Sequence, residues 1–470
     1  MKTLHTDQRF WLILGHLFFL WYSLWAVWTY EERLLAFDAA YYTFKLVYFA
    51  DFNIEHLRHI SYPTQVLPLL GMQAGASLST VVLLYSLNLA LFYHLIFIVL
   101  VQVLRQVWVG YWLIFSLILS TRYLYYHPIT ETQLTHGALA LWAGWILYAR
   151  TRPDLAPWKT YTGIGLGAFL VSTGHPLAIL FGGVWLGFEL SYENRWKDKQ
   201  LWAAILALAL GFLWRFWQAK ANGYEDQKMN QLFAQLPMLW NGQLFKLFSL
   251  KHLLEYLFSV CWASTLAFVL SVGYVFYRRA WLAGLCLLLG AAGFGLIEVI
   301  TYAQGESPIA LENYYLFFGF FYGIPLALAV LPQWSGHRVM KALVLLLVLW
   351  NVWGIVRAGA FFEQRNNWLR SLAQVQDGQR KWLITNAQFP YDRAWMPWAL
   401  PFETLLATAM RSGAEAAVTV AVSEPEAEVS QAALAQDTVF IGPFFAPYAY
   451  KQGQMPARYF ALPRQGYRYR

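Results

Sequence analysis

The chain has 470 residues, of which 59% are apolar and only 13% charged, with a formal net charge of +8 and a mean hydropathy of +0.40. Soluble domains carry about a quarter charged residues, so a single soluble globular domain is excluded. The two cysteines, Cys261 and Cys286, lie in apolar stretches and offer neither a disulfide framework nor metal-ligand spacing.

A membrane-spanning helix needs about 20 mainly apolar residues. That length predicts eleven spans, at 10–29, 79–104, 107–126, 132–149, 159–173, 176–192, 200–218, 252–277, 280–302, 309–331 and 338–361. The first resembles the apolar core of a signal peptide, but it is long and no small-residue cleavage site follows, so it is expected to stay as an anchor. The stretches 107–149 and 159–192 are each too long for one crossing, at about 1.5 Å per residue through about 30 Å of hydrocarbon. His127-Pro128 and His175-Pro176 interrupt them. Proline breaks the helical ladder, so two tight hairpins are expected.

Basic residues test this count. Lys2 and Arg9, Arg105, Arg150 with Arg152 and Lys159, Arg195 with Lys197 and Lys199, Arg278 with Arg279, and Arg338 with Lys341 all fall on one side of an eleven-span chain. The loops near 127–130, 173–176 and 303–308 on the other side hold no Lys or Arg. The positive-inside rule then puts the N-terminus in the cytoplasm and the C-terminus outside. Much of the positive charge is this bias, so no nucleic-acid partner is implied. The 24 Trp and 29 Tyr suit the interfacial belts of such a protein.

Three outer segments are substantial. In the first, 30–78, the stretch from Leu34 to Phe52 has helical spacing with aromatics around much of its circumference, which predicts a helix lying on the membrane surface. The second, 219–251, is mixed. The third is the tail 362–470, where a shift in composition marks a small extracytoplasmic α/β domain after the membrane domain 1–361. Helices are expected in it near 363–376, 398–411 and 426–436, and strands near 382–385, 416–422, 437–442 and 458–463. It carries no nucleophile elbow, phosphate loop or Cys/His cluster, so a supporting or acceptor-binding role is expected of it.

Asp38, Glu131, Glu306 and Glu312, with His127 and His175, all fall at the outer edge of this topology. Ionisable residues at membrane depth are costly, and their convergence points to a functional site. Around Asp38 the order of the pieces counts for more than any single one. It runs Tyr30-Glu31-Glu32-Arg33-Leu34-Leu35-Ala36-Phe37-Asp38-Ala39-Ala40-Tyr41-Tyr42, then His56-Leu57-Arg58-His59, then Ser61-Tyr62-Pro63 through Leu70-Gly71. Later comes Glu312-Asn313-Tyr314-Tyr315, ahead of a proline-containing span.

Over about residues 8–360 this arrangement resembles the membrane glycosyltransferases of the GT-C superfamily, particularly relatives of protein mannosyltransferases and lipid A aminoarabinose transferases. The resemblance implies an all-α polytopic fold in a bacterial-type inner membrane. It also implies transfer of a sugar from a polyprenyl-phosphate donor to a lipid, glycan or protein acceptor on the outer face. By that match Asp38 is the candidate base, and one carboxylate suffices because lipid phosphate leaves readily. Lys45, Arg58, His59, Arg122 and Arg215 are candidates to hold the carrier phosphate. His127, Glu131 and His175 are candidates to orient Asp38 or bind sugar hydroxyls. The run Glu312-Asn313-Tyr314-Tyr315 looks like the family's Arg/Glu-x-Tyr element, and within it Glu312 and Tyr315 are candidates to bind the substrate or its phosphate.

The chain departs from the family in lacking an acidic pair, since Ala39 follows Asp38, and in lacking an Asp-x-Asp motif. No cofactor is expected, and a divalent metal has Glu131 as its one obvious further ligand. Two other readings suit the same composition. One is a transporter or flippase of lipid-linked saccharide, against which stand the absence of an internal repeat and the gathering of polar residues at one face. The other is a non-catalytic scaffold of the same superfamily.

Overall fold

The computed structural model describes residues 6–55, 58–221, 223–303, 307–374, 378–443 and 446–470. His56, Leu57 and Glu306 lie outside the described residues. The chain is 75% helix and 2% strand. Among the described residues six helices are long and apolar enough to cross a membrane: Gln8–Trp28, Leu78–Val103, Lys199–Gln218, Trp281–Thr301, Ile309–Trp334 and Arg338–Leu372. The pair Phe248–Val260 and Trp262–Tyr277, bent by 86°, makes a seventh if counted as one span. This is a multi-pass membrane protein.

The other expected spans are shorter or more polar helices. Val107–Ile118, Pro157–Ser172 and Ala178–Tyr192 have 12, 16 and 15 residues, and Glu131–Arg150 has 20 but opens with Glu131, Thr132 and Gln133. At about 1.5 Å per residue the first covers only about 18 Å. The chain leaves the helix after Ile118, ahead of Pro128, and passes through a 3₁₀ turn, Tyr123–Tyr126, before Glu131 restarts it. Such a break survives at membrane depth only where its backbone groups find partners in the protein. Here Glu312 accepts from the N–H groups of Arg122, Tyr123 (3.1 Å) and Leu124 (2.9 Å). Tyr256 donates to the Ser120 carbonyl at 2.9 Å.

The helix Phe37–Phe49 is not a surface helix. Phe37, Phe44, Leu46 and Val47 are fully buried. The aromatic circumference that suggested lipid contact faces the tail instead: Phe402, Phe440, Tyr450 and Phe460 all stand 4.9–5.8 Å from the Phe44 ring. The first outer segment exposes Phe49, Phe52 and Tyr62, and the second exposes Phe233, Trp240, Phe245 and Phe248.

In the tail, Lys381–Ile384 is the centre of a three-stranded parallel sheet flanked by Thr419–Val422 and Arg468–Tyr469. Helices Leu400–Ser412 and Glu428–Ala435 fall close to their expected places. The segment expected as helix 363–376 is instead the end of the 35-residue helix Arg338–Leu372, about 52 Å long, which passes unbroken through the 361/362 boundary. The strands expected at 437–442 and 458–463 are irregular. The carbonyls of Asp437 and Val439 are taken by Lys381 Nζ, at 2.7 and 2.9 Å, so that stretch needs no ladder. The outer strand position goes to the C-terminus.

Candidate functional site

Asp38 stands in the first turn of Phe37–Phe49, with its side chain 48% exposed. One carboxylate oxygen lies 3.4 Å from Nε2 of the buried His127, which ends the 3₁₀ turn after the helix break. Tyr42 is one turn beyond Asp38, so both side chains share a face. Its hydroxyl donates to Glu131 at 3.5 Å, and Arg58 pairs with the same carboxylate oxygen. Burial and the Asp38 charge push the Tyr42 phenol far above its ordinary range, so it stays a donor to Glu131. Between Tyr42, Arg58, Gln65, Tyr85 and Glu131 lies a cavity of about 30 Å³. That holds a water and not a sugar. The open part of the site is the Asp38 side.

Cations gather beyond Glu131. Thr135, one turn along the same helix, accepts the His175 backbone N–H at 2.9 Å. Burial first, then the charges of Arg58 and Arg215, hold the His175 imidazole well below its ordinary range. Both arginines are buried. Lys45 pairs with Glu55, yet burial pushes its ammonium down to about 8. The His59 ring stacks on Tyr62, with centroids 5.8 Å apart.

Three predicted residues are placed elsewhere. Arg122 donates to the carbonyls of Thr121 and Val260 and to Asn351 Oδ1, at 2.7, 3.3 and 3.1 Å, and Glu312 closes the same break from the other side. A Cβ at Gly354 would run into Arg122 Nε, so the neighbouring helix needs glycine there. Tyr315 meets His252, its hydroxyl 3.2 Å from Nδ1. These residues hold the bundle together at its break and bend. Among the described residues no three His, Cys, Asp or Glu side chains gather as a metal site.

Sequence reasoning missed Tyr42 as a site residue and missed two residues of the tail. Arg365 and Glu403, 1% and 0% exposed, form an ion pair at 2.5 Å. The second Glu403 oxygen accepts the Phe37 N–H at 2.6 Å, immediately before Asp38. Burial pushes the Glu403 carboxyl above its ordinary range, opposed by the Arg365 charge and with His127 also close enough to act on it. Phe37 has φ +54°, a left-handed conformation that costs a non-glycine residue about 1–3 kcal/mol. No signal in the sequence joins positions so far apart, and each reads alone as an ordinary helical residue.

Compared with known proteins, the chain matches no family model, no curated protein and no solved structure at a significant level.

Proposed function

We propose that the protein is a glycosyltransferase of the bacterial inner membrane, moving a sugar from a polyprenyl-phosphate donor to a lipid, glycan or protein acceptor on the extracytoplasmic face. In this reading the chain crosses the membrane eleven times, with its N-terminus in the cytoplasm and its tail outside. The observation that carries it is the half-exposed Asp38 facing His127, with Arg58 buried and paired with Glu131 on the helix that follows His127. An open carboxylate suits an acceptor hydroxyl, and a buried arginine on a neighbouring element suits a phosphate.

The step balances with these groups. Asp38 takes the proton of the acceptor hydroxyl as its oxygen bonds to the anomeric carbon. The bond from that carbon to the phosphate oxygen breaks with its electron pair, and polyprenyl phosphate leaves with the anomeric centre inverted. Arg58 and Arg215 stabilise the charge on the departing phosphate. His127 holds the Asp38 carboxylate in place.

The test is turnover by the purified full chain in micelles, with a panel of polyprenyl-phosphate hexoses and pentoses as donors. Asp38→Asn is expected to lower kcat by about 10²–10⁴-fold, the range for loss of a general base, with binding of polyprenyl phosphate retained. Undiminished transfer by that variant would remove Asp38 as the base.

A further inference from the structure

The turn that presents Asp38 is held by two buried side chains of the helices that form and follow the last span. Arg365 lies on Arg338–Leu372 and Glu403 on Leu400–Ser412. One Glu403 oxygen accepts the Phe37 N–H and the other accepts from Arg365 Nη2. Arg365 Nη1 donates to the Leu35 carbonyl at 3.3 Å. The two backbone groups on either side of Ala36 are therefore tied to one ion pair. The Arg365 guanidinium also lies 4.4 Å over the Phe37 ring, which stacks on Trp395 at 5.8 Å.

The physics of this clamp is specific. The first N–H groups of a helix have no acceptor within it, and an unpaired buried one is costly. Phe37 supplies such a group, and a carboxylate from a distant element accepts it. A left-handed phenylalanine persists only where its surroundings over-determine it. Here they do so through the charge pair, the cation over the ring and the indole stack. Asp38 follows directly, so any relaxation of Phe37 swings the carboxylate away from His127.

We propose that Arg365 and Glu403 are positioning residues for Asp38, so that the tail sets the aim of the base. The proposal rests on the reading of Asp38 as that base. On that reading the tail also has a role in turnover.

Hydrogen exchange on the full chain in micelles, resolved to single amides, tests the clamp without any donor. In the wild type the Phe37 amide is expected to be as protected as the interior of its helix. A fast-exchanging Phe37 amide would overturn the clamp, and this holds even if a variant fails to fold. Glu403→Leu is expected to speed exchange at Phe37 and Asp38 by about 10-fold or more, leaving the interior of Leu78–Ile98 unchanged. Glu403→Gln keeps an oxygen for the Phe37 N–H and is expected to restore most of that protection. Wild-type exchange in the Leu variant would overturn the proposal.

Turnover then separates positioning from mere support. With a panel donor that the wild type uses, Glu403→Leu is expected to lower kcat by about 10²-fold, the cost of a misaimed group, with KM within about 2-fold. The Gln variant should recover most of that kcat. Loosened exchange with unchanged kcat would overturn the positioning role. If Asp38→Asn itself keeps full activity, the base reading fails instead, and the exchange results still decide whether the clamp exists.

Discussion

Glu312 is 1% exposed and accepts the backbone N–H groups of Arg122, Tyr123 and Leu124. Asp38 is half exposed and faces one histidine at 3.4 Å. Both are acids at the outer ends of apolar segments, and the sequence treats them alike. Their surroundings do not. A carboxylate with three backbone donors is committed to structure, whereas Asp38 keeps half of its side chain exposed. Glu312→Gln keeps one acceptor oxygen and is expected to cost about 1–3 kcal/mol, while Glu312→Leu leaves three buried donors unpaired and is expected to cost more. Denaturant unfolding in micelles, followed by the tryptophans, measures both. A Leu variant as stable as the wild type would mean that the break is satisfied by other groups.

Among the elements, the strand Lys381–Ile384 has an unusual centrepiece. Lys381 is fully buried, and its ammonium donates to the Asp437 and Val439 carbonyls and to Gln452 Oε1. Burial pushes its pKa down to about 8 from the ordinary value of 10.5. Between those values the unfolded chain binds more protons than the folded one, so stability is expected to rise with pH across this window. That is the reverse of a lysine raised by a carboxylate partner. The check is the denaturant midpoint of the full chain from pH 7 to 10, wild type against Lys381→Met. The wild type should gain relative to the variant as pH rises, and parallel curves would refute the assignment.

The same element shows what the sequence could and could not reveal. Its strand, expected at 382–385, was legible because Trp382-Leu383-Ile384 is a short apolar run between polar stretches. The strands expected at 437–442 and 458–463 were not formed, because a lysine side chain satisfies that backbone and the pairing position is taken by Arg468–Tyr469. The Phe37–Phe49 helix was legible as a helix from its spacing. Its partner was not, since aromatics that face another domain and aromatics that face lipid have one and the same pattern. Asp38, His127 and Glu131 could be grouped from where each apolar run ends. Arg365 and Glu403 could not, because hydropathy has no term for which helix ends meet.

At the scale of the whole molecule, the tail and the membrane part share one core. Phe44 sits among Phe402, Phe440, Tyr450 and Phe460. Around it, Tyr450 bonds Tyr41 at 2.7 Å, Tyr459 donates to the Ala76 carbonyl at 3.1 Å, and Tyr48 donates to Gln454 at 2.9 Å. Arg370 pairs with Glu31 at the foot of the long helix. A tail tethered by a linker alone would unfold independently and expose none of these groups on the membrane side. Apolar surface buried in common makes the opposite expectation, because neither part can melt without uncovering the other. Phe44→Ala should cost about 3–5 kcal/mol, the range for emptying a buried aromatic site. Pulse proteolysis of the full chain across a denaturant series reads both parts at once. Cleavage in 400–412 and in 37–49 should share one midpoint, and Phe44→Ala should lower the two together. Two separate midpoints, with the tail lost first and the 37–49 helix still protected, would show that the tail is a passenger on the membrane part.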